Sequence, residues 1–211
     1  MTMSIHELYG AHFWNPGVNA IYQNREGDLY AYTAYIGSNT VDVERGDSVI
    51  YLSADLKTAL WTAGPVKLQS NHFAVVLRGY ACGHRAESLW QHVNLPYVNG
   101  CASKQIFHPQ RIGDPTFQQL TIPPYTSEQK HHIHPTVRAV YVLSGRGYSI
   151  VGQKGHTEKT PLEPGMVCIL DPMSPHHFET EGDYLTVLPV HVFSSTPNDE
   201  NHPMFNGTKE V

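Results

Sequence analysis

Cysteine is scarce in this chain. Only Cys82, Cys101 and Cys168 occur, odd in number and widely scattered, with no C-x-x-C pair among them. That spacing excludes a disulfide framework and predicts reduced thiols in a cytoplasmic setting. Long apolar runs are missing as well. Nothing approaches the roughly 20 residues needed to cross a bilayer, so no membrane partner is expected. The first residues, Met1 to Glu7, lack the charged-then-apolar layout of a signal peptide. Charge is sparse at 16% of residues, with a formal net charge of −5. No cluster of Lys and Arg offsets that balance locally, which argues against a nucleic-acid partner.

Present in quantity are histidine (14), proline (15) and glycine (17), interleaved with aromatic and β-branched residues. This mixture predicts a turn-rich, all-β chain. At 211 residues there is room for one large domain or two small ones.

Chemistry concentrates at Lys130-His131-His132-Ile133-His134-Pro135, just before the apolar run Thr136 to Leu143. On a strand, His132 and His134 share one face about 7 Å apart, while His131 faces the other way. Two such imidazoles can converge on one divalent metal. A third is available at His176, in Ser174-Pro175-His176-His177-Phe178, after the apolar segment Gly165 to Leu170.

At these residues the sequence resembles the cupin superfamily, over roughly residues 118–193. The family's first motif, G-x5-H-x-H-x3,4-E-x6-G, is met by His132, His134 and Gly145, with Arg138 in the glutamate's place and Thr126 in that of the first glycine. The second, G-x5-P-x-G-x2-H-x3-N, is met by Gly165 and His176. Asp171, Met173 and Thr180 replace its Pro, Gly and Asn. The resemblance implies a jelly-roll barrel with a metal held in its mouth by His132, His134 and His176. No carboxylate ligand is carried over. Arg138 either points inward, favouring an anionic substrate, or turns outward to a surface carboxylate. Glu128 shares the parity of His132 and His134 on a continuous strand, about 13 Å from His132. It has a substrate-contacting role there, or is simply solvated. Tyr141, with Tyr125 and Tyr148, is a candidate proton donor or acceptor, or barrel-wall packing.

Three domains are expected. Residues 1–105 form a β-rich part that is an extension or a degenerate second cupin barrel, structural or dimerising in role. Residues 106–193 form the metal-binding barrel, and 194–211 a polar tail. Strands are expected at Leu29–Ile36, Gly46–Leu52 and Asn71–Tyr80, two helical turns at Ala86–Val93, and a connecting loop from Asn94 to Gly100. The function implied is a non-haem Fe(II) dioxygenase acting on a small anionic molecule. The alternatives are a Zn, Ni or Mn isomerase or lyase, and a small-molecule-binding cupin without catalysis. A homodimer is the family-level expectation.

Overall fold

The structure, a computed structural model, describes residues 3–23, 32–90, 95–111 and 113–192. The expected tail at 194–211 lies outside the described residues, as do the first residues of the strand expected at Leu29–Ile36 and the end of the helix expected at Ala86–Val93. The chain divides into two units, one of residues 1–14 with 93–211 and one of residues 15–92. The expected boundary near residue 105 therefore falls elsewhere, and the N-terminal segment belongs with the C-terminal unit.

That segment begins with α1 (Ile5–Tyr9), opened by a capping box in which the Ser4 side chain and Glu7 satisfy each other's backbone N–H groups. It continues into β1 (Ala11–Trp14), which pairs with a strand more than 150 residues away in sequence. No local pattern announces such a pairing.

The second unit holds β2 (Ala20–Gln23), β3 (Tyr32–Ile36), β4 (Asn39–Val43), β5 (Ser48–Leu52), β6 (Thr58–Ala63), β7 (Val66–Ser70), β8 (Phe73–Leu77) and β9 (Arg85–Ser88). They form a six-stranded sheet, β2-β3-β8-β5-β6-β9, and a two-stranded sheet, β4-β7. Val41, Val43, Val49, Ala74 and Val76 pack between them. Among the described residues of the stretch 86–93 there is no helical turn. Arg85–Ser88 is instead an edge strand against β6, where pairing outweighs the helix propensity of Ala86 and Glu87.

The first unit continues with β10 (Leu95–Pro96), β11 (Ala102–Phe107), β12 (Thr116–Ile122), β13 (Arg138–Gly145), β14 (Gly147–Gln153), β15 (His156–Leu162), β16 (Val167–Leu170), β17 (His176–Glu179) and β18 (Leu185–His191). One sheet runs β1-β16-β13-β18-β12-β11-β10 and the other β15-β14-β17. Alternation along β12, β13 and β18 sends Leu120, Ile122, Val140, Val142, Leu185 and Val187 inward, where they meet Val151, Leu162 and Phe178 from the facing sheet. Each such side chain contributes about 1.5–3 kcal/mol when removed from water. Toward the other end of the same inward row, apolar residues give way to polar ones. Arg138, His191 and Thr116 lie side by side across three strands, through the register pairs Arg138–His191 and Thr116–His191. That polar end is where the histidines gather.

Candidate metal centre

Between β12 and β13 the chain runs antiparallel to β17 as an irregular strand. Thr126 pairs with Thr180, Glu128 with Phe178, and His132 with His176. Residues 129–131 therefore stand opposite the single residue His177, a bulge that shortens the path between Glu128 and His132. The extended separation of about 13 Å does not apply for that reason.

His132 and His176 are fixed to each other by two backbone bonds, His132 N to His176 O at 3.1 Å and the reverse at 2.9 Å. Their rings are 4.9 Å apart, and those of His134 and His176 are 5.3 Å apart. The Nε2 atoms of His132 and His134 approach to 2.8 Å. One nitrogen from each of the three rings lies within 4.8 Å of the others. The three histidines named from the sequence are thus brought together, although His134 sits in a loop and not on a strand.

Two second contacts orient the rings. His132 Nδ1 lies 2.7 Å from the Lys130 carbonyl and His176 Nδ1 2.7 Å from the Ser174 carbonyl. A carbonyl can only accept, so each Nδ1 carries the proton and each Nε2 lone pair is left facing the cluster. This is how metal-binding imidazoles are usually set. Bonds of about 2.1 Å to a shared cation, at right angles, would hold two nitrogens roughly 3.0 Å apart, close to the spacing of His132 and His134. The donor set therefore fits a divalent transition metal.

Protonation would block that role, and the surroundings oppose it. His176, 3% exposed, is pushed down to about 3 by burial and by the neighbouring His132. His134 is held far below the usual imidazole range by burial and by Arg138. Both rings are neutral, as ligands must be.

Below the triad lies a cavity of about 20 Å³, enough for roughly one water. Glu128, His134, Arg138, His176 and His191 supply its polar lining, and Leu120, Val140, Phe178, Val187 and Pro189 its apolar wall. Arg138 is 3% exposed and faces inward, bonded to the Thr136 hydroxyl through Nη1. The outward alternative is excluded by its place in the inward row of β13. Glu128 is 4% exposed, so it is not a solvated surface carboxylate. Its Oε1 accepts the Phe178 N–H at 3.2 Å. Burial pushes its carboxyl up to about 7, opposed by that hydrogen bond and by Arg138.

Tyr141 does not join them. It is one residue out of step with Val140, so strand alternation sends it to the other face of β13. Tyr125 is exposed, and Tyr148 bonds Glu181 at 3.2 Å. His131 and His177 leave the triad, as alternation predicts, and meet each other with Nδ1 atoms 2.8 Å apart. His191, wholly buried in the cavity wall, lines the cavity without being part of either sequence motif. Its parity with Val187 and Pro189 on β18 is the signal that places it.

Residues 118–193 match a family model described as Cupin domain, and this part of the chain is a cupin domain. Likeness to solved structures extends well beyond it. The chain is similar to protein Ylba from E. coli, with 12% identity over 88% of this chain and 93% of that one and a TM-score of 0.58. It is also similar to Streptomyces albus HEPD, determined with 2-hydroxyethylphosphonate and Fe(II) bound, with 8% identity over 96% of this chain and 80% of that one and a TM-score of 0.55. At such identities the likeness shows the fold alone. No curated protein matches the chain.

Proposed function

We propose that the chain is a metal-dependent cupin enzyme acting on a small anionic organic molecule, with a dioxygenase reaction at Fe(II) as the first class to test. The observation that carries this is the convergence of the His132, His134 and His176 nitrogens beside a buried arginine. A metal such as Fe(II), held by three neutral imidazoles, supplies Lewis acidity and redox capacity with coordination positions left open. Arg138 is a permanent, buried cation in the cavity lining and binds the substrate's anionic group. Glu128, tuned near neutrality, accepts or returns a proton on the substrate. The wall formed by Leu120, Val140, Phe178 and Val187 limits the water that reaches both. The Fe(II) bound by the similarly folded HEPD makes iron the first metal to supply. The replacement of the motif's glutamate ligand by Arg138 favours a second reading, a ligand-binding cupin without turnover.

Elemental analysis of the purified protein, with oxygen uptake measured against a panel of small organic acids and phosphonates, tests the proposal. Wild-type protein is expected to hold about one metal ion per chain. His132→Ala and His176→Ala are expected to lose it, whereas His131→Ala and His177→Ala keep it. Metal retained by both triad variants would remove the proposed centre. A full complement of metal with no oxygen uptake or conversion of any panel member would favour the binding protein.

A further inference from the structure

The stretch from β10 to β11, which the sequence presents as a plain connection, lies against the segment that carries Glu128. Gln129 Nε2 donates to the Tyr97 hydroxyl oxygen. Asn99 Nδ2 donates to the Ser127 carbonyl at 3.0 Å. The turn is itself closed by Tyr97 N to Cys101 O at 2.9 Å and Cys101 N to Val98 O at 3.1 Å. Tyr97 and Cys101 are both buried within the barrel's hydrophobic core, so the turn is a rigid support.

A support is needed because Gln129 opens the bulge of residues 129–131. Bulged residues lack ladder partners of their own, and their placement falls to side-chain anchors. At the far end His131 supplies one, bonded to His177 Nδ1 and to the Gly152 carbonyl. At the near end the anchor is the Gln129–Tyr97 bond, one residue from Glu128. The Phe178 N–H and carbonyl hold Glu128 from the β17 side, at 3.2 and 3.0 Å. Tyr97 thus closes the side of the clamp that β17 cannot reach.

We propose that Tyr97 is a positioning residue which, through Gln129, aims the Glu128 carboxylate into the cavity beside the histidine triad. The proposal rests on the metal centre proposed above. Its consequence is electrostatic: a well-aimed Glu128 opposes the entry of a second anion, and a loosened one opposes it less.

Azide binding to the Co(II)-loaded protein reads this without turnover, through the visible Co(II) spectrum at about pH 8.5, where Glu128 is ionised. Glu128→Gln is expected to bind azide roughly five- to tenfold more tightly than wild type. Tyr97→Phe and Gln129→Leu are each expected to gain about twofold or more, with unchanged circular dichroism and Co(II) content. The double variant Tyr97→Phe/Glu128→Gln is expected to match Glu128→Gln alone, because Tyr97 acts only through Glu128. Wild-type affinity in both Tyr97→Phe and Gln129→Leu, or full additivity in the double variant, would overturn the proposal. So would an unshifted Glu128→Gln, which leaves the metal centre standing. Failure of wild-type protein to take up Co(II) would instead remove the metal centre, and this proposal with it.

Discussion

Glu128 is ionised only at an energetic cost in the metal-free protein. Its carboxyl is raised from the ordinary 4.5 to about 7, chiefly by burial. Folding therefore favours its protonated form, and stability is lost as pH rises from 4.5 through 7. Each pKa unit corresponds to about 1.4 kcal/mol, so the penalty above pH 7 is at most about 3.5 kcal/mol. Glu128→Gln is expected to stabilise the metal-free protein by roughly 1–3 kcal/mol at about pH 8, and negligibly near pH 4. Urea unfolding at the two pH values measures the difference. Equal stability of variant and wild type at the higher pH would mean that water reaches the carboxylate. Such a cost is the usual mark of a group kept for function. At this scale the sequence was informative where a motif names the residues, as for His132, His134 and His176. It left Tyr141 open between a proton-transfer role and barrel-wall packing, and could not see that Glu128 is enclosed.

Among the elements, the corner between β13 and β14, where the chain passes from one sheet to the other, sets the inward row of Arg138, Val140 and Val142 against the facing sheet. Gly145 ends β13 with φ of 76°, in the left-handed region that side chains disfavour. A Cβ there would also run into the Tyr184 carbonyl, a backbone atom that cannot swing aside. The next residue, Arg146, donates its backbone N–H to that same carbonyl at 2.8 Å. Gly145→Ala is expected to lower stability by about 2 kcal/mol or more through strain and displacement of β18. The shift in urea midpoint checks it, and a change below about 0.5 kcal/mol would show that the turn relaxes freely. The glycine was legible because a motif names it. The bulge at residues 129–131 was not, since it follows from how Glu128 and His132 pair with β17 and not from any local propensity.

For the whole molecule, a metal that binds only the folded form links occupancy to stability. Ligand at 100 times its dissociation constant adds about 2.7 kcal/mol. Fe(II) or Co(II) is therefore expected to raise the melting temperature of wild-type protein by several degrees, and a chelator to reverse it. His176→Ala is expected to show no such response, and an equal response there would place the metal elsewhere. Among the described residues no helix is long and apolar enough to cross a membrane. The sequence by itself determined the β-class, the cupin motifs and the identity of the three histidines, because strand alternation and ligand spacing are local properties. Only the tertiary structure decided that β1 joins the barrel sheet, that Arg138 and Glu128 line one cavity, and that Tyr97 bonds Gln129 beside the second of them. Those outcomes depend on contacts between segments far apart in sequence, where burial and register, not local pattern, set the energy.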